Sequence, residues 1–195
     1  MESLIQIDRE ATLWLNLNNS GHFNDFWHFM SGIREWFPLY FIIMAALVVR
    51  LGWKKGLIVI ATLILGVVLT DQISNFVKDS VMRLRPCRDP WMIEQGIICP
   101  DGIIGGLFGF FSGHASNSFG FAAGTWWAFQ LNDRKHRYTL YGCCIMVWAT
   151  LVSLSRTILA AHSVGDILVG CLFGLALGTT LAFASYKLLL VRVKG

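Results

Sequence analysis

The chain has 195 residues, 55% of them hydrophobic and only 14% charged, with eight Trp, fourteen Phe and a formal charge of +4. A water-soluble domain of this size carries nearer a quarter charged residues. The balance excludes an ordinary soluble domain, offers no basic excess for a nucleic-acid partner, and points to an all-α integral membrane protein.

Residues 1–35 read as an amphipathic segment rather than a span. Leu4, Ile7, Ala11 and Trp14 recur at helical spacing among charges, and Phe23, Phe26, Trp27 and Met30 repeat the pattern after Asn18-Asn19-Ser20-Gly21. Two short helices are expected, lying either at the membrane interface or against the bundle. Glu2, Asp8, Arg9 and Glu10 leave no apolar core for a cleavable signal peptide. His22 and His28 have no ligand partner at useful spacing and read as interfacial histidines.

Residues 36–195 read as the membrane-embedded domain, a helical bundle of about five transmembrane spans. The first covers 36–51, with Pro38 at a first-turn position. The second covers 56–77 and turns polar over Asp71, Gln72, Ser74 and Asn75, which should face protein rather than lipid. Residues 78–113 form one long loop that ends in a glycine-rich run beginning at Gly102; loops of this length are usually functional. The remaining spans are expected at 114–131, 138–155 and 162–190. In the last of these, Gly165, Gly170, Gly174 and Gly178 permit close helix packing.

Five spans sort the charges onto two faces. Arg50, Lys54, Lys55, Arg134, Lys135, Arg137, Lys187, Arg192 and Lys194 share one face, which the positive-inside rule makes cytoplasmic. Lys78, Arg85, His114, Arg156, His162 and Asp166 all fall at the opposite, outer face, although they come from three separate stretches. Cys87 and Cys99 lie in the outer loop, where a disulfide is permitted, but a separation of twelve residues does not fix the geometry. Cys143, Cys144 and Cys171 fall within spans and read as packing residues, and no cluster has zinc-site spacing.

Three stretches carry the chemistry. They are Lys78-x6-Arg85-Pro86, Phe111-Ser112-Gly113-His114, and Ser155-Arg156-x5-His162-x3-Asp166. Lys78, Arg85 and Arg156 offer three fixed cations to an oxyanion. Ser112 and the Gly113 N–H add donors if they open a helix. His162 and Asp166, four apart, would share a face if helical, with the carboxylate holding one ring nitrogen while the other attacks. His114 could give and take the proton. Taken alone, a His–Asp pair near a helix start also fits a structural hydrogen bond.

Together the three stretches resemble the signature of the type 2 phosphatidic acid phosphatase superfamily, which includes polyprenyl diphosphate phosphatases, phosphatidylglycerophosphatases, lipid A phosphatases and vanadium haloperoxidases. The first and third match in identity and spacing; in the second, Phe111 stands where the family usually has Pro. The resemblance implies a lipid phosphatase without metal or other cofactor, working through a phosphohistidine on His162. Its partners would be a lipid-phosphate substrate and the bilayer. The small size suggests undecaprenyl diphosphate as substrate, with lipid A or phosphatidylglycerophosphate as alternatives. The implied location is a bacterial cell envelope, in the inner membrane, with the site facing the periplasm. A haloperoxidase and a non-catalytic lipid-phosphate binder or transporter remain as rivals; the five spans argue against the first and the complete motif set against the second.

Overall fold

The computed structural model describes residues 2–19, 21, 23–100 and 105–193. His22, residues 102–104 of the glycine-rich run, Lys194 and the side chain of Arg192 lie outside the described residues. The helices are α1 (Glu2–Asn19), α2 (Asn24–Ser31), α3 (Phe37–Leu51), α4 (Trp53–Val81), α5 (Pro90–Glu94), α6 (Gly113–Asn132), α7 (Thr139–Ile158) and α8 (Val164–Val193). The described residues contain no strand, only an isolated antiparallel bridge between Leu84 and Phe108.

Helix α6 is the centre of the bundle and packs on α3, α4, α7 and, most extensively, α8. Glycines make that closeness possible. Gly170, Gly174 and Gly178 of α8 press on the α6 backbone at Ser112, Ser116 and Gly120; a Cβ at position 170 would stand 2.6 Å from the Ser112 carbonyl oxygen. Gly165 has a different neighbourhood, the side chains of Arg83 and Asp8. The apolar core joins Ile43 and Leu47 of α3, Val59 of α4, Phe129 of α6, and Ile145 and Trp148 of α7. Outside it runs a belt of exposed apolar side chains, including Phe41, Val49, Phe76, Leu140 and Leu172, a surface suited to lipid rather than water.

Three helices, α4, α7 and α8, are each long and apolar enough to cross a bilayer, and α2 with the segment Arg34–Leu51 qualifies as a pair bent by 72°. The span expected at 114–131, α6, does not qualify on its own, for a physical reason. It is enclosed by other helices, so its Ser116, Ser118 and Thr125 are buried in protein and it needs little lipid-facing apolar surface. Helix α4 has 29 residues and is about 44 Å long, longer than the roughly 30 Å hydrocarbon layer. It continues past the expected end at residue 77 and carries Lys78 in its last turn, with Lys54 and Lys55 at its far end. Met82 then closes it in the left-handed conformation (φ 50°).

The end of α7 sets the position of His162. Ala160 takes φ 52°, its N–H donates to the Thr157 carbonyl, and the Ala161 N–H reaches back to Arg156 O at 2.9 Å. This is a Schellman closure with alanine where glycine is usual. The Ala160 methyl is buried against Leu13 of α1 and Met92 of α5. The His162 N–H also donates to Arg156 O, at 3.0 Å, so the turn ties His162 directly to the arginine. Helix α1 lies against α7 and α8, with Thr12 and Asn16 fully buried and Leu4, Ile7 and Trp14 exposed on its other side.

Candidate active site

The segment after α4 runs extended past Arg83 to Arg85. The chain end of the long loop folds back over it. Arg85 N–H donates to Leu107 O at 3.2 Å, and Gly109 N–H to Arg83 O at 2.8 Å. Glycines allow this approach: a Cβ on Gly105 would be 3.0 Å from an Arg85 guanidinium nitrogen, and one on Gly109 would be 2.8 Å from Asp166 Oδ2. A disulfide between Cys87 and Cys99, with Cα atoms 5.9 Å apart, closes the part of the loop that follows Arg85.

His162 does not lie on a helix; it precedes α8, and Asp166 sits in the first turn of α8. Their meeting comes from a helix cap rather than a shared helical face. Asp166 Oδ2 reaches back to accept the Ser163 N–H at 3.1 Å, as a third-position acid does in a capping box. The same oxygen stands 3.5 Å from His162 Nδ1, an ion-pair distance longer than a made hydrogen bond. On the other side of the ring, Arg85 Nη1 is 3.3 Å from Nε2 and donates to Ala161 O at 2.8 Å. A guanidinium can only donate, so this contact needs an Nε2 lone pair and leaves the ring proton on Nδ1, facing Asp166. Burial pushes the His162 pKa down to about 4, against the opposing pull of Asp166. Burial likewise lowers Arg85, with Asp166 opposing.

Lys78, Arg85, Gly113, His114, Arg156 and His162 line one cavity of about 540 Å³. Its other wall is apolar, with Tyr40 and Met44 of α3, Ile60, Leu63 and Val67 of α4, Phe121 of α6 and Val152 of α7. Lys78 Nζ donates to Asn75 Oδ1 at 3.3 Å. Arg156 is buried and bonds through Nη1 to the Ser31 hydroxyl at the end of α2. Ser112 does not line the cavity; it caps α6, its Oγ accepting the Ala115 N–H at 3.4 Å, which presents the α6 N-terminus to the cavity at Gly113. Phe111 is buried and packs on Phe173 with centroids 5.0 Å apart. Among the described residues no three His, Cys, Asp or Glu side chains group as a metal site.

Several residues at the site were not singled out by the sequence reading. Asn117 lines the cavity and donates to Asp71 Oδ1 of the neighbouring α4 at 3.1 Å. Arg83 bonds Asp166 Oδ1 at 3.0 Å. Asp8 and Ser31 arrive from the amphipathic segment. The one local signal was Arg83 itself: two residues before Arg85 in an extended segment it shares that residue's face, and both side chains reach the His162–Asp166 pair.

Three cations, a helix N-terminus and a carboxylate-held imidazole at one end of an amphipathic cavity define a membrane hydrolase of lipid phosphates. The comparisons with known proteins agree. The chain belongs to the PAP2 superfamily, whose model matches residues 55–189. It is 32% identical over 189 residues to a lipid A 4'-phosphatase of Bacteroides thetaiotaomicron, covering 96% of this chain and 81% of that one. It is 29% identical over 181 residues to a lipid A 4'-phosphatase of Porphyromonas gingivalis, covering 91% of this chain and 72% of that one. The crystal structure of a transmembrane PAP2-type phosphatidylglycerolphosphate phosphatase from Bacillus subtilis shares the fold, with TM-score 0.67, 19% identity, and coverage of 96% of this chain and 87% of that chain. The protein is a membrane lipid phosphatase.

Proposed function

We propose that the enzyme removes a phosphate monoester from the sugar headgroup of lipid A, through a phosphohistidine on His162. The cavity carries this reading: its cationic end fits a phosphate, its apolar wall fits acyl chains, and Asp71, Asn75 and Asn117 lie between. A carboxylate and two amides beside the cations suit the hydroxyl and amide groups of a sugar. They suit a second phosphate less, because Asp71 would repel it. With the two lipid A 4'-phosphatases as relatives, this supports lipid A over the undecaprenyl diphosphate suggested by size.

In this mechanism Lys78, Arg85 and Arg156 hold the phosphate oxygens, with the α6 N-terminus at Gly113 behind them. His162 Nε2 attacks phosphorus. The bond from phosphorus to the sugar oxygen breaks, and His114 gives its proton to that oxygen. Asp166 stabilises the positive charge that develops on the ring. Water then attacks phosphorus, His114 takes the water proton, the P–N bond breaks and inorganic phosphate leaves. The three side-chain cations supply the charge stabilisation for which other phosphatases use metal ions.

The orientation belongs to the same proposal. Lys55, Arg134 and Lys135 converge around one depression at the end opposite Lys78. The positive-inside rule makes that end cytoplasmic and turns the site outward, to the periplasmic face of the inner membrane. Residues 1–35 then lie on the outer side, with the exposed face of α1 at the lipid headgroups.

The test is phosphate release by purified protein in detergent with chelator. The substrates are lipid A, undecaprenyl diphosphate, phosphatidylglycerophosphate and phosphatidic acid, with His162→Ala beside wild type. Release from lipid A above the others, unaffected by chelator and absent in the variant, is expected. Preference for another lipid overturns the substrate, and equal release by His162→Ala overturns the mechanism.

A further inference from the structure

We propose that Asp8 and Arg83 are positioning residues of the His162–Asp166 pair, so that helix α1, which lies outside the family match, is part of the catalytic unit. The proposal rests on the reading of His162 as nucleophile. Asp166 is fully buried, and each of its oxygens is engaged: Oδ2 by the Ser163 N–H and the His162 ring, Oδ1 by Arg83 Nη1 at 3.0 Å. Arg83 turns its other terminal nitrogen, Nη2, to Asp8 Oδ2. The remaining oxygen of Asp8, Oδ1, accepts the Gly165 N–H at 2.6 Å. Asp8 therefore holds both Arg83 and the helix turn that carries Asp166.

The rest of α1 fixes Asp8 in place. Thr12, one turn on, accepts the Val164 N–H at 3.0 Å. With Ser163 bonded to Asp166, the first N–H groups of α8 are satisfied partly by the helix itself and partly by α1. Asn16 donates to Ile158 O at 2.7 Å, and Arg9 pairs with Asp89 at 2.8 Å. Gly165 leaves the space that Arg83 and Asp8 fill, each 3.2 Å from where its Cβ would be.

Charge explains why two residues are needed. Asp166 must keep its negative charge effective toward the ring as that ring becomes positive. An arginine alone would orient the carboxylate while cancelling part of its field. Asp8 offsets the arginine, so the carboxylate is held without being neutralised. Arg83 does not line the cavity and so acts through Asp166, not on the phosphate. The charged and titratable groups facing His162 are Asp166 from α8, Arg85 from the long loop, Arg156 from α7, and His114 from α6. Lys78 of α4 lines the same cavity. Arg83 is also faced by Asp89.

The two changes should therefore move the acidic limb of kcat/KM in opposite directions. Arg83→Met leaves Asp8 and Asp166 uncompensated, favours protonated His162 and moves the limb to higher pH. Asp8→Asn leaves Arg83 uncompensated and moves it to lower pH. Each should lower kcat by about 10- to 100-fold, as loss of a group that orients a working histidine does. KM should stay within about threefold, because no substrate contact is removed.

The experiment uses the full chain in detergent with lipid A and with 4-nitrophenyl phosphate. It compares wild type, His162→Ala, Arg83→Met, Arg83→Lys and Asp8→Asn, with the Tm of each. Arg83→Lys and the isosteric Asp8→Asn guard against simple misfolding. Opposite pH shifts with a kcat loss at near-wild-type Tm support the proposal. An inactive His162→Ala beside unchanged Arg83 and Asp8 variants overturns it, as does a loss confined to KM or shifts in the same direction. An active His162→Ala, or no turnover of either substrate by wild type, overturns the underlying reading instead.

Discussion

At the scale of single residues, His162 has the most direct solution consequence. Its native pKa is depressed to about 4, against about 6.5 in an unfolded chain. Between those values the unfolded chain binds more protons, so stability rises with pH. This contribution is fully present above about pH 6.5 and is lost as pH falls through about 4. Tm measured against pH should therefore fall below about pH 6.5 in wild type and less steeply in His162→Ala. Gly109 is the second case. An added methyl there would stand 2.8 Å from Asp166 Oδ2 and 3.3 Å from Arg85 Cγ. Gly109→Ala should lower kcat at least about tenfold while costing about 1 kcal/mol or less of stability, checked by turnover and Tm on one preparation. The motif positions were legible in the sequence because the motif spacing names them. Asp8 and Ser31 were not, because they meet Arg83 and Arg156 across 75 and 125 residues of chain. Nothing local distinguishes Asp8 from the other acids of an amphipathic helix.

At the scale of elements, the contact between α6 and α8 sets the distance between the two histidines' supports. His114 rides on the first turn of α6, and Asp166 on the first turn of α8. The Ser112 N–H donates to the Asp166 carbonyl at 3.0 Å, tying the two helix starts together. Gly174 presses on the Ser116 carbonyl lower in the same contact. Gly174→Ala must spread the helices and should cost about 1–3 kcal/mol, read as a lower Tm, with activity falling in parallel. Glycine spacing in α8 was visible in the sequence, but its division of labour was not. Three of those glycines face α6 and one makes room for an ion pair, a difference of helix face that spacing alone does not resolve. The ends of the long helices were also extended by capping: α4 and α7 each run several residues past the apolar run, carrying Lys78 and Arg156 into their last turns.

At the scale of the whole molecule, the all-helical membrane class followed from the apolar runs, which are long enough to cross lipid as helices with their backbone hydrogen bonds made internally. The place of the N-terminal segment did not follow, since an amphipathic face fits a headgroup layer and a protein surface equally well. Here α1 presents Thr12 and Asn16 to protein and Leu4 and Trp14 outward. The central helix was legible as a helix, while its shielding by its neighbours was a property of the assembled bundle. The single cavity that joins the cations to an apolar wall also fixes how the enzyme meets its substrate. The dephosphorylated lipid remains dissolved in the bilayer, whereas phosphate departs into water, so the two products leave in different phases. Turnover is then governed by the mole fraction of substrate within the membrane plane. Inert amphiphile added at constant total substrate slows it by surface dilution, and bulk concentration ceases to be the controlling variable.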